Sequence, residues 1–401
     1  MHLSADIFSG RIIFILMFYR YIPAVERIQA FRFLHNKRLG LLTNEAAKTN
    51  DGKPSRVSLM EAGFRIERLF SPEHGISVTH ADGQKVEDTK DTLTGIQVNS
   101  LYGDRMKPLP AQLEDLDVVL FDVPDVGCRY YTYLWSMTYM MEACNEAGIL
   151  FVILDRPNPI GGDLSMAEGP MLNEENCSSF IGRWDIPIRH CCTLGELAIF
   201  FQRSRMPMLQ LEVIPCENWD RTRSFFEAGT SFVPTSPAIG DAETALLYPG
   251  TGLLEGIHVS EGRGTGFPFK QSGAPWINSP QWKYAVESMG IEGISISEVH
   301  FKPEWGLYAG VECNGLRFEV IDMANFRPVG FGIKLIRGLM ECFPGYTHPR
   351  LYPTAANPSG VAHLDKLLGI KDAFQILQND PNRVSTDCPV WKKTIEPFLL
   401  Y

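Results

Sequence analysis

Ser71-Pro72-Glu73-His74-Gly75 sets a carboxyl beside an imidazole at the end of an apolar run. Pro72 fixes φ and Gly75 permits a sharp turn, so the chain holds the two side chains together. A carboxyl walled by apolar groups suits a general acid; the competing reading is a carboxylate bonded to loop amides. Asp122 and Asp125 bracket a second turn, with Arg129 close behind. Paired carboxylates can share acid and base roles, but Asp125 capping the next helix while Arg129 neutralises the pair is the more ordinary arrangement. Asp155-Arg156-Pro157-Asn158-Pro159 offers three polar side chains on a loop stiffened by two prolines. Ser260-Glu261-Gly262-Arg263-Gly264-Thr265-Gly266 is Gly-rich and carries both charge signs. It is not a dinucleotide fingerprint, because Phe267 occupies the third Gly position. The sequence has no phosphate-binding P-loop and no Gly-x-Ser-x-Gly elbow, which argues against phosphoryl transfer and α/β-hydrolase chemistry. His74, His190 and His258 lack close ligand spacing and there is no Cys-x-x-Cys pair, so no metal or cofactor is expected. The row Tyr130-Tyr131-Thr132-Tyr133-Leu134-Trp135 supplies rings that either stack on sugar faces or fill a core.

Four short apolar runs must carry these groups: Arg38 to Asn44, Arg65 to Phe70, Leu116 to Phe121 and Ile149 to Leu154. Each is rich in Leu, Ile, Val or Phe and ends in polar residues, as strands buried on both faces do. Helical spacing lies between them, over Val57 to Phe64 and Tyr131 to Ala147. A further helix is expected from Thr193, as its cap, through Phe201, and a further strand from Leu209 to Pro215. The fold class is α/β: a Rossmann-like, doubly wound, mostly parallel sheet. Its ligand crevice lies beyond the carboxyl ends of the strands, which gathers Asn44, Glu73, His74, Asp122, Asp125, Arg129, Asp155, Arg156 and Asn158 near one rim. Residues 230 to 280 read as one long functional loop. Beyond them Gly293 to Lys302 and Gly310 to Ile321 alternate like half-exposed strands, with helices over Val329 to Cys342, Val361 to Leu368 and Val390 to Leu400. The expected organisation is an N-terminal extension (1–35), a Rossmann-like domain (36–279) and a smaller C-terminal α+β domain (280–401).

The formal net charge of −10 over 401 residues argues against a nucleic-acid partner, which needs a basic face. The apolar run Ile12 to Phe18 is too short to span a bilayer and lacks a small-x-small cleavage site after it. Nine scattered Cys read as buried free thiols.

Several of these motifs, in this order, resemble the exo-β-N-acetylmuramidases of glycoside hydrolase family 171. The resemblance rests on Thr43-Asn44, Ser71 to Gly75, Ser100-Leu101-Tyr102-Gly103, Asp125 to Tyr133, Leu154 to Pro159, Thr193 to Leu197, Glu255 to Thr265, Gly273-Ala274-Pro275-Trp276, Leu364 to Gly369 and the terminal Leu-Leu-Tyr. It spans the chain from about residue 36. It implies a Rossmann-like domain joined to a smaller C-terminal domain, with the active site in the cleft between them. The implied reaction removes a terminal β-linked N-acetylmuramic acid from the non-reducing end of peptidoglycan fragments, so muramyl saccharides are the implied partners. Glu73 matches the catalytic carboxyl. His74 is implied in acid/base support, and Asn44, Asp125, Arg129, Tyr131, Asp155, Arg156, Asn158, Glu261 and Arg263 in substrate binding. An Arg fork (Arg129, Arg156 or Arg263) would hold the lactyl carboxylate. The sugar's N-acetyl group can itself serve as nucleophile, in place of a second enzyme carboxylate. The substrate class implies the periplasm or exterior, whereas nine Cys and no clear signal suit a reducing compartment. The chain departs from the family pattern at Ile76-Ser77-Val78, at Pro124, at Cys191-Cys192 and at Pro234 to Gly240, where an Asn is lost. The alternative is therefore a glycan-binding homologue with weakened or lost catalysis.

Overall fold

The structure is a computed structural model that describes residues 21–223 and 232–401. The apolar run at residues 12 to 18 lies outside them. Seven strands form the larger sheet: β1 (Arg38–Thr43), β2 (Arg65–Ser71), β3 (Thr89–Lys90), β4 (Gln97–Ser100), β5 (Val118–Asp122), β6 (Leu150–Leu154) and β7 (Leu211–Ile214), in the order β3-β4-β2-β1-β5-β6-β7. All neighbours are parallel except β3 and β4. With the two-residue β3 set aside, the parallel strands run in the order of a doubly wound dinucleotide-binding sheet, with the direction of winding reversing between β1 and β5. Each apolar run of the sequence became a strand because both of its faces are covered: β5 is buried at every residue and β1 at all but its first.

The crossovers include helices α2 (Ser55–Glu61), α3 (Tyr133–Ala147) and α4 (Leu194–Arg205). Thr193 caps α4 as expected: its hydroxyl accepts the Glu196 N–H while the Glu196 carboxylate accepts the Thr193 N–H. The N-terminal segment is part of the fold from residue 21. Ala24, Val25 and Ile28, on and just after α1 (Ala24–Arg27), bury with Leu34 against the sheet face formed by Leu39, Leu41, Leu120 and Val152.

The reading of residues 230 to 280 as loop throughout is corrected. Asp241 caps α5 (Ala242–Thr251) by accepting the Thr244 N–H, and β8 (Gln271–Ala274) follows. Ala242 to Leu247 are good helix formers, but Pro249 and the flanking glycines mask the period. β8 joins β9 (Ile294–Phe301) and β10 (Cys313–Val320) in an antiparallel sheet of order β8-β10-β9. Helices α6 (Ser279–Ser288) and α7 (Pro328–Cys342) pack on it, and α8 (His363–Leu368) packs beside the turn Gly252–Gly256. A single apolar cluster, from Phe121 and Trp135 to Leu316 and Leu364, joins the larger sheet to this smaller α+β layer. No helix among the described residues is long and apolar enough to cross a membrane.

Candidate active site

Glu73 leaves the end of β2 on a turn in which His74 (φ 67°) and Gly75 (φ 72°) are both left-handed. A histidine there is strained, so the surrounding bonds must hold it. His74 Nδ1 lies 2.7 Å from the His80 carbonyl, which can only accept; the proton therefore sits on Nδ1, and Nε2 is left as the other ring nitrogen of a residue that lines the pocket. Glu73 Oε1 accepts the Gly83 N–H at 2.7 Å and Oε2 takes the Thr132 hydroxyl at 2.7 Å, at the N-terminal end of α3. Tyr102 also bonds Glu73; burial and then the Glu73 charge push its phenol far up, so it keeps its proton.

Around this carboxyl opens a pocket lined from both halves of the chain. The larger sheet contributes Glu73, His74, Tyr102, Tyr131 and Thr132, and the C-terminal half contributes Glu255, Arg263, Tyr352, His363 and Lys366. Arg263 lies 2.9 Å from Asp82, 2.7 Å from Glu255 and 3.4 Å from Glu261. Burial alone would raise the Glu255 carboxyl, but Arg263 and His363 outweigh it and hold it down at about 2. The Tyr352 hydroxyl donates to Asp82 and its ring stacks on His363 at 4.5 Å. The Gly83 carbonyl accepts the Ala355 N–H, so the loop that grips Glu73 is tied to the C-terminal half.

Of the residues singled out in the sequence, Glu73, His74, Tyr131 and Arg263 line this pocket. The others do not. Arg129 is fully buried and gives its guanidinium to the carbonyls of Pro170, Ile186 and Leu367. Arg156 forks onto Asp122 at 2.5 and 3.0 Å and reaches Ser55 and Lys48, while Tyr21 packs against it, so the crevice at the winding reversal is filled from within. Asp155 accepts the Gly195 N–H and the Tyr401 hydroxyl. Asn158 bonds Ile160 and Cys192, and Asn44 turns its oxygen back to the Ala46 N–H. Asp125 accepts the Gly127 N–H, and burial pushes its carboxyl up to about 7. Glu261 holds Arg350 at 2.9 Å and backs Arg263. The one rim inferred from strand ends is thus corrected to two regions: a pocket over β2 and β4, and a packed polar layer over β1, β5 and β6. Arg129 and Arg156 are withdrawn as lactyl anchors because their guanidiniums are buried, held by bonds within the fold and outside the pocket. Sequence reasoning missed Asp82, Glu255, Tyr352, His363 and Lys366 as pocket residues. Glu255 and Lys366 stood inside quoted motifs, but nothing in their spacing pointed inward. Among the departures, Ser236 and Ile239 of the altered loop line the pocket, while Cys191 and Cys192 are buried away from it. Among the described residues no cluster of three or more His, Cys, Asp or Glu could hold a metal ion.

Comparison with known proteins gives this geometry a family. The profile described as exo-β-N-acetylmuramidase NamZ, N-terminal, matches residues 39–243, and its C-terminal counterpart matches residues 246–401. The peptidoglycan β-N-acetylmuramidase NamZ of Bacillus subtilis (strain 168) is 38% identical over 312 residues, covering 78% of this chain and 75% of that protein. Two crystal structures of DUF1343 family proteins from Bacteroides fragilis NCTC 9343 superpose with TM-scores of 0.85 and 0.72, each at 27% identity, covering 96% and 95% of this chain and 99% of each of theirs. Both halves of the chain, and the pocket they build between them, therefore belong to the exo-β-N-acetylmuramidase NamZ family.

Proposed function

We propose that this chain, by family a glycoside hydrolase acting on peptidoglycan, releases terminal β-linked N-acetylmuramic acid from the non-reducing end of muramyl saccharides, with Glu73 as the acid/base. The observation that carries the reading is the pairing of unlike carboxyls in one pocket: Glu73 is held by neutral donors, whereas Glu255 is locked as an anion by Arg263. Cleavage needs one carboxyl that protonates the leaving oxygen and negative charge that stabilises an oxocarbenium-like state. The Thr132 hydroxyl can donate to an ionised Glu73 or accept from a protonated one, so the same contact holds both forms of the cycle. Glu255 supplies the fixed negative charge. His74, through Nε2, supports proton movement at the same end of the pocket. Tyr131 and Arg263 line it against the sugar. An open pocket lined by both Glu73 and Glu255 supports this reading over a glycan-binding homologue without catalysis.

The test is release of free N-acetylmuramic acid from a chromogenic β-N-acetylmuramide and from the muramyl disaccharide. Glu73→Gln is expected to lower kcat by about 10²- to 10⁴-fold with an unchanged circular dichroism spectrum. An unaffected Glu73→Gln would remove Glu73 from the chemistry, and an inert wild type would favour the binding reading.

A further inference from the structure

N-acetylmuramic acid differs from N-acetylglucosamine by its lactyl ether, which carries a carboxylate. A pocket lined by Glu73, Asp82 and Glu255 repels that group unless a cation with free donors meets it. Arg129 and Arg156 are buried within the fold, outside the pocket. Arg263 lines the pocket but is surrounded by Asp82, Glu255 and Glu261, so no net positive charge is left over at its fork. Lys366 is different. It stands on α8, in the wall of the pocket that Leu367 and Ser179 to Ile181 also line. Among the described residues its ammonium has no hydrogen bond and no carboxylate within ion-pair distance. Its chain neighbour Asp365 is committed elsewhere, with one oxygen on the Asp372 N–H and the other on the Ala373 N–H, both at 2.9 Å. The backbone under Lys366 is fixed, because the Leu367 carbonyl accepts from Arg129 at 2.8 Å.

We infer that Lys366 is the specificity-determining residue for the lactyl carboxylate, pairing its ammonium with that group and so selecting muramyl over glucosaminyl ends. This rests on the muramidase reading above. Burial lowers the Lys366 ammonium from its ordinary value and the nearby Asp365 charge offsets this only in part, so an incoming lactyl carboxylate would relieve the remaining cost.

The experiment compares three chromogenic substrates on the full chain: the β-N-acetylmuramide, its lactyl methyl ester, and the β-N-acetylglucosaminide. Wild type should prefer the free acid to the ester by about 10- to 100-fold in kcat/KM, the range of a charge-assisted hydrogen bond. Lys366→Met should lose that preference through KM, keep the ester and the glucosaminide within about twofold of wild type, and regain most of the difference as Lys366→Arg. Equal loss on all three substrates, or no rescue by Arg in a folded variant, would overturn the assignment. Should the Met variant melt early, the wild-type comparison decides alone, since equal rates on acid and ester would sink the idea. Turnover of the glucosaminide with none of the muramide would refute the muramidase reading itself, and this inference with it.

Discussion

Thr132 and Asp125 show how different two buried polar groups near one sheet edge can be. The Thr132 hydroxyl touches only Glu73 among the acidic groups, at 2.7 Å. Thr132→Val keeps the shape and removes the bond, so kcat should fall about tenfold with little change in KM. In the Glu73→Gln background the same change should add almost nothing, because the two groups act as a unit; steady-state kinetics of the four proteins measures this. Asp125 acts on stability. Burial raises its carboxyl from 3.8 to about 7 in the folded chain, so the folded state binds more protons than the unfolded one between those values. Its contribution is complete below about pH 4 and is lost as pH rises through about 7, at up to about 1.4 kcal/mol per pH unit. Asp125→Asn, which retains an acceptor for the Gly127 N–H, should flatten the fall in urea midpoint between pH 5 and 8. Neither group's role was legible in the sequence. Glu73 and Asp125 both follow a strand and a Pro, and only their neighbours in space separate a pocket carboxyl from a buried one.

Helices α5 and α7 cross where two glycines meet. A Cβ on Gly332 would lie 2.2 Å from the Gly250 carbonyl oxygen, and one on Gly250 would lie 1.8 Å from that of Pro328. Backbone cannot yield as a flexible side chain does, so Gly332→Ala should cost about 1–3 kcal/mol or more by overpacking, read from chemical denaturation. The crossing matters for the site because α5 leads directly into the turn Gly252–Gly256 that presents Glu255. At this scale the sequence spoke most clearly where the environment is uniform. The runs Leu39 to Thr43 and Val118 to Asp122 are covered on both faces, and the box at Thr193 and Glu196 is local. It was least clear over α5, where Pro249 sits inside a helix that tertiary packing sustains.

The two halves are joined by buried polar bonds as well as by the shared apolar core. Arg129 reaches the Leu367 carbonyl in the C-terminal half from the loop after β5, and burial pulls its guanidinium down to about 10 without discharging it at neutral pH. Arg129→Met would strand three carbonyl acceptors, and the expected loss is at least about 3 kcal/mol of stability in urea denaturation. Because α8 carries Lys366 on the same segment, the folded fraction of this variant should also bind acid and ester substrates less discriminately.

The sequence by itself determined the α/β alternation of the larger sheet, though not β3 and β4, the capped α4, and the turn that presents Glu73 and His74. These depend on local period, caps and φ restrictions, which a linear chain records. It also carried enough ordered motif to indicate the family. The tertiary structure alone decided which charged residues face open space. Arg129, Arg156 and Arg263 look equivalent in the chain, yet one bonds carbonyls, one bonds Asp122, and one is surrounded by three carboxylates. A guanidinium's partner is set by what the fold brings within about 3 Å of it, and apart from Glu255 and Glu261 beside Arg263 those partners lie tens to hundreds of residues away in sequence.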